Sequence, residues 1–352
     1  MKRKAKKIFA IIMCLVFILP LVGCNSGKEV SANNTETKVF TDSLGREVEL
    51  PKEIQYIAVT GPMAQIPLFA LSPDKLVGIA NPWNENATEY IDKKYLDLPQ
   101  LGQLYGGKGE MNLETLLGTK AQVVIDVGEA KEGAKEDLDN LQEQTGIPFV
   151  HVDASLKTMG DAFIMLGDLL GMEKEAKEYA EYCDNIYNKT SEIANGVDKK
   201  KVLYITGEEG HNVIAKSSFH AELIDMLADN LAVVDEPSSR GTGNEVDMEQ
   251  ILLWNPDYII FSPDSVYETV AEDDNWKNMT AIKNENYYEV PDGPYNWVGS
   301  PPSAQRVLGM VWLAQTLYPE ERVFDLKAET KKFYHMFYHC DLTDEQYNEL
   351  VK

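Results

Sequence analysis

Met111-Asn-Leu-Glu114-Thr-Leu-Leu-Gly-Thr-Lys-Ala-Gln-Val-Val-Ile125 recurs 135 positions on as Val246-Asp-Met-Glu249-Gln-Ile-Leu-Leu-Trp-Asn-Pro-Asp-Tyr-Ile-Ile260. Each copy is a glutamate opening a short apolar helical run that leads into a strand. Glu114 aligns with Glu249, and residues 123–125 align with 258–260. A helix-to-strand unit repeated at this distance predicts two similar α/β lobes rather than one large sheet. Two lobes leave a crevice between them.

Around the first copy, residues 40–51 alternate about a Ser43-Leu-Gly45 turn and read as a hairpin. Strands are predicted at 55–59, 76–80, 123–126 and 148–152, with an apolar helix at 63–71. From 155 to about 197 there is no strand signal. Helical spacing runs through Met159, Phe163, Leu166 and Leu170, breaks at Gly171, and resumes to about 195. A fresh α/β pattern then begins at Lys201, with strands at 201–205, 258–261 and 287–290 and two closing helices. The expected architecture is α/β, with two Rossmann-like lobes of mostly parallel strands, residues 39–155 and 198–352, joined by a long helical connection at 156–197.

The first residues follow another logic. Met1-Lys-Arg-Lys-Ala-Lys-Lys7 is basic, residues 8–22 are apolar, and Leu21-Val22-Gly23-Cys24 closes the run. That pattern reads as a signal peptide over 1–23, and the run is too short to span a membrane comfortably. The closing four residues resemble a bacterial lipobox, which implies an acylated Cys24 followed by a polar tether over 24–38. The expected location is outside the cytoplasm, lipid-anchored to the cell membrane. The formal charge is −24, and removing 1–23, with five basic side chains and no acidic ones, makes it −29. An acid excess of that size argues against nucleic acid and anionic membrane surfaces as partners. Cys183 and Cys340 either pair or remain two thiols; their spacing does not choose between these.

With these residues in view, the chain resembles the helical-backbone, or class III, periplasmic and lipoprotein substrate-binding proteins of ABC importers for iron-siderophore, haem or cobalamin. The resemblance covers about 39–352. It rests on Phe40-Thr-Asp-Ser-Leu-Gly-Arg-Glu-Val48, on both repeat copies, and on Phe337-Tyr-His-Cys-Asp-Leu-Thr343. It implies a receptor without enzymatic activity or intrinsic cofactor, monomeric, that hands a small molecule to a permease with a cytoplasmic ATPase. It also implies that Glu114 and Glu249 dock onto permease arginines. Two carboxylates, one per lobe, would fix orientation by two-point electrostatics. Taken singly, each reads as a first-turn acid stabilising its own helix; taken as a matched pair, they read as docking groups.

In open α/β lobes a ligand lies beyond the carboxyl ends of the strands. The loops there offer Met63, Trp83 and Tyr105 on the first lobe, and His211, Arg240, Tyr295 and Trp297 on the second. Aromatic residues on Gly- and Pro-containing loops read as cleft walls. Arg46, Arg240, Arg306 and Arg322 are the only arginines after residue 23. Arg240 and Arg306 lie near the second-lobe loops, where they would meet an anion; Arg306 also reads as the partner of a surface acid. His211 or Tyr295 would serve a direct metal centre, with His220 a weaker candidate. His335 and His339, spaced i, i+4, read as a solvated helix face.

These readings converge on a receptor for a chelated metal, with ferric siderophore as the expected ligand. Haem or corrinoid, or a metal ion or oxyanion, are the alternatives within the class. A surface hydrolase in the same crevice is the rival from another class, and an acidic adhesin or cation buffer is a third. No Gly-x-Ser-x-Gly, His-Glu-x-x-His or phosphate-cradling glycine loop supports the hydrolase.

Overall fold

The structure is a computed structural model that describes residues 36–106 and 110–351. The expected signal peptide, Cys24 and the tether up to residue 35 lie outside them.

The chain enters through an antiparallel hairpin, β1 (Thr37–Thr41) and β2 (Glu47–Pro51), with Phe40 opposite Val48. Asp42 closes its turn by accepting the backbone N–H groups of Leu44 and Arg46. Arg46 is buried and donates to Asp42 at 3.0 Å, to Asp139 at 2.8 Å and to the Phe149 carbonyl at 2.8 Å. The Asp42-Ser-Leu-Gly-Arg46 string that contributed to the resemblance is thus a clamp fastening the hairpin to the first lobe. A buried guanidinium needs this many acceptors to offset its lost hydration.

Two parallel sheets follow. The first orders β3 (Ile57–Val59), β4 (Val123–Gly128) and β5 (Phe149–Asp153) as β3-β4-β5. The second is built from β6 (Lys201–Thr206), β7 (Asn212–Val213), β8 (Asp229–Asn230), β9 (Asn244–Glu245), β10 (Tyr258–Phe261) and β11 (Tyr287–Glu289). Its order is β11-β10-β6-β7-β9, with β8 beside β6 and only the β7 pairings antiparallel. The sequence repeat is a structural one, down to strand register. Val123 pairs with Ile57 and Val124 with Phe149; at the positions 135 residues on, Tyr258 pairs with Val202 and Ile259 with Tyr287. The strand expected at 76–80 is absent, and only isolated bridges from Leu76 to Ile57 and from Ile79 to Gln100 form there.

The helices are α1 (Pro62–Leu71), α2 (Lys93–Leu96), α3 (Leu113–Gly118), α4 (Ala134–Thr145), α5 (Met159–Leu170), α6 (Glu173–Gly196), α7 (Glu222–Leu227), α8 (Met248–Trp254), α9 (Thr280–Lys283), α10 (Arg306–Leu317), α11 (Leu326–Phe333) and α12 (Asp344–Leu350). Gly171, at φ 66°, ends α5 and lets the chain turn back. A β-carbon at Gly167 would come within 2.5 Å of the Ala176 methyl, so α5 and α6 pack nearly in backbone contact. The connection is therefore a helical hairpin, and α6, about 36 Å long at 1.5 Å per residue, touches α1 on one side and α7 and α10 on the other. Three helices close the chain rather than two, and a π turn, Tyr334–Tyr338, continues α11.

Strand residues alternate between two cores, as a sheet covered on both faces requires. Ala58, Val124 and Phe149 face a satellite core with Leu116 of α3 and Leu138 of α4. Leu203, Ile205, Ile259 and Phe261 face its counterpart, with Ile251 of α8. The opposite faces, Val59, Ile125 and Val152 from one sheet and Val202, Tyr204 and Ile260 from the other, join a single core through α1, α5, α6, α7 and α10. The two lobes share that core.

Candidate functional site

The carboxyl ends of the strands meet along a seam between the lobes. From the first lobe, the turn after β3 brings Met63, whose side chain occupies the space a β-carbon would need at Gly128 on the end of β4. The Met63 carbonyl accepts the Ser303 hydroxyl of the second lobe at 2.7 Å. Gln65, fully buried on α1, donates to the Tyr295 hydroxyl at 2.9 Å and accepts the Ala80 N–H at 2.7 Å. Asn86 donates to the Asp292 carbonyl at 2.9 Å. These bonds join the lobes directly.

The aromatic residues expected as cleft walls are packed instead. Trp297 is 0% exposed and Tyr295 and Trp83 are buried; all three belong to the shared core. Trp83 stands edge-on to Phe69 at 5.0 Å, lies 5.5 Å from Tyr295, and donates its indole N–H to the Tyr95 carbonyl. The physical reason is the path of the 291–305 loop. Asn296 accepts the N–H groups of Val298 and Gly299 and donates to Tyr204, which folds the loop inward. Helix α10 then lies directly on that loop, and Gly309 leaves room for the Trp297 carbonyl where a β-carbon would overlap it. Tyr105 is half-buried and donates to Asp137 at 3.1 Å.

The two alternative direct metal ligands, His211 and Tyr295, stand in different surroundings. His211 stands half-exposed beside Glu209, at 4.0 Å. Tyr295 keeps its proton, because burial pushes its phenol above the ordinary value. The π turn separates His335, which meets Asp341 at 2.7 Å, from His339, whose Nε2 lies 3.3 Å from the Phe69 carbonyl. Among the described residues no group of three or more His, Cys, Asp and Glu is placed to hold a metal ion. Cys183 is buried, Cys340 partly so, and both are free thiols.

What the seam does gather is a set of basic side chains, two of them held by carboxylates. Arg306, 1% exposed, reaches Glu222 at 2.8 Å, donates to the Phe219 carbonyl at 3.1 Å and lies over the Phe219 ring. Glu222 also accepts the Leu156 N–H, so this pair ties α7 to the start of the interlobe connection. Arg306 is therefore a buried, paired cation. From the first lobe, Lys131 reaches toward the same Phe219 ring at 5.9 Å while holding Glu129 at 2.6 Å. His220 follows Phe219. Burial lowers its imidazole below the ordinary value, the Gly299 carbonyl at 3.0 Å raises it, and Arg306 and Lys131 lower it further. Arg240 is exposed, precedes Gly241 against the His220 ring, and has no ion pair among the described residues.

Sequence reading overlooked Gln65, Lys131, Phe219 and Ser303. Gln65 had a signal, as the one polar side chain in the apolar run Met63–Leu71. Lys131 and Ser303 had none, since each gains its role from the opposite lobe. A separate cavity of about 190 Å³ opens beyond β10 and β11, between Tyr267, Tyr288, Trp312 and α12. Asp292 and Glu349 line it, which suits it poorly to an anion.

A family model described as periplasmic binding protein matches residues 58–294. The molybdate-binding protein MolA of Haemophilus influenzae is 24% identical over 344 residues, covering 86% of this chain and 91% of that one. An uncharacterized ABC transporter substrate-binding lipoprotein of Bacillus subtilis, YvrC, is 23% identical, covering 91% of this chain and 99% of its own. A solved solute-binding protein of an ABC transporter from Sulfurospirillum deleyianum superposes with a TM-score of 0.81 at 26% identity, over 89% of this chain and 98% of that one.

Proposed function

The chain belongs to the periplasmic binding protein family, and from that premise we propose that it captures a compact anionic solute, a metal oxyanion or small anionic metal chelate, at the seam. It is a substrate-binding protein of an ABC transporter and not an enzyme. Lipidation at Cys24 would tether it to the cell membrane, as the lipoprotein relative's name supports. Glu114 and Glu249 would meet the permease, and its ATPase would drive transport.

The carrying observation is Arg240, exposed and without an ion pair among the described residues, beside His220 on a seam where Arg306 and Lys131 are each already held by a carboxylate, in a chain whose net charge is −24. Against so acidic a background, a local cationic site selects an anion by charge, and a planar guanidinium adds bidentate geometry. The name of the molybdate-binding relative supports the same choice. A ferric siderophore, the ligand expected from the sequence, would need aromatic walls that here serve as core. It would also have to break the Ser303–Met63 and Gln65–Tyr295 bonds.

Isothermal titration of the purified chain with molybdate, a ferric trihydroxamate and haem distinguishes these. Saturation by molybdate at one per chain, weakened about tenfold or more by Arg240→Ala, is expected. Saturation by the trihydroxamate or haem alone, indifferent to Arg240→Ala, would overturn the assignment.

A further inference from the structure

Among the described residues eight large apolar side chains are exposed, and three of these, Leu117 at 55%, Leu252 at 43% and Leu253 at 73%, stand on α3 and α8. Those helices have six and seven residues and are the two copies of the repeat. Both begin alike: Asn112 accepts the Thr115 N–H at 2.9 Å, and Asp247 accepts the Gln250 N–H at 2.7 Å. Two residues after each cap comes an exposed glutamate, Glu114 or Glu249, with no ion pair among the described residues. Leu117 is i+3 from Glu114, and Leu252 and Leu253 are i+3 and i+4 from Glu249, so acid and leucine share a helix face. At the position matching Leu253 the first copy has Gly118.

We propose that these leucines are the apolar halves of a two-footed docking surface for the membrane-embedded permease, and that the second-lobe foot holds more tightly. This rests on the transport reading. An exposed leucine beside an unpaired carboxylate suits a socket that offers a cation next to an apolar hollow. Because the strand registers match in both lobes, the feet are equivalent elements of equivalent units, which fits a partner presenting two related sockets. A second copy of this chain would set carboxylate against carboxylate and be repelled. The carboxylates steer and orient; the leucines, desolvated at contact, slow dissociation. With two leucines against one, α8 is the stronger foot and α3 the weaker.

The test uses the full-length chain in its own cells, with the photo-crosslinker p-benzoylphenylalanine at Leu117, at Leu253, or at exposed Ile164 as control. The expected product at 117 and 253, and not at 164, is one polytopic permease subunit identified by mass spectrometry. With the crosslinker at 117, Leu252→Ser/Leu253→Ser should cut the yield about tenfold or more, and with it at 253, Leu117→Ser should cut it only a few-fold. If Glu114→Arg/Glu249→Arg abolishes the product but the leucine variants do not, docking stands and the apolar anchor falls. If the product is another copy of this chain, a soluble protein, or nothing, both fall. Equal losses from Leu117→Ser and from the double variant would overturn the asymmetry.

Discussion

The His220 imidazole is wedged between the Gly299 carbonyl and Gly241, where a β-carbon would come within 3.2 Å of its Cε1. Burial favours the neutral ring, and the nearby Arg306 and Lys131 add to that preference. In the unfolded chain the ring takes up a proton near its ordinary value of about 6.5. Above that pH both states hold neutral imidazole and His220 contributes no pH dependence. As pH falls below about 6.5 the unfolded state binds the proton first, so stability is lost down to the lowered folded value. His220→Gln should flatten this acid-side slope in urea titrations between about pH 6.5 and 5, by less than the ~1.4 kcal/mol per pH unit of one full proton, because the ring is partly exposed. Identical slopes in both proteins would show that the ring is not held neutral.

Among elements, the C-terminal helix α12 binds a segment far from it in sequence. Thr343 and Gln346 form a reciprocal capping box at its start. Gln346 then donates to the Glu89 carbonyl in the first lobe at 3.1 Å, while Leu350 packs where a β-carbon on Gly293 would come within 2.8 Å of it. The helix thus straps the second-lobe loop at 291–293 to the first-lobe segment at 89–90. Truncation after residue 340 removes Leu342 and Leu350, both buried, and the bond to Glu89. A loss of about 3–5 kcal/mol is expected from those two side chains. A melting temperature within about 1 °C of the full chain would show that the strap bears no load. Helices α3 and α8 and the strands they feed were legible because each unit carries its own cap, apolar stripe and β-branched run. The strand expected at 76–80 fails for the converse reason: its apolar pattern is real, but only single residues find a pairing edge, at Ile57 and Gln100.

At the scale of the whole molecule, one core spans both lobes, so they are neither independent domains nor halves on a loose hinge. Phe163, Tyr179 and Phe337 stack or meet edge-on where α5, α6 and the C-terminal π turn converge. A shared core couples the lobes in unfolding. Differential scanning calorimetry of the ligand-free chain should give one transition, with van't Hoff and calorimetric enthalpies equal; two resolved transitions would mean the seam does not transmit stability.

The sequence by itself determined the lobes, the parallel strands and the paired glutamates, because each depends on local periodicity, capping and a repeat that survives as register. That Arg240 has no ion pair among the described residues also agrees with its local sequence, a guanidinium among Ser, Gly and Thr. Tertiary structure alone decided which aromatic side chains are buried in the core. Trp83, Tyr295 and Trp297 lie on loops whose composition suggests exposure, yet Asn296 folds one loop inward and Gly309 lets α10 close over it. Arg306 and Lys131 were settled by tertiary contacts as well, Arg306 by Glu222 and Phe219 from elsewhere in its own lobe and Lys131 by the Phe219 ring across the seam. Burial and charge pairing at a seam are set by both walls, and a linear chain specifies each wall without showing which residues of the other will face it.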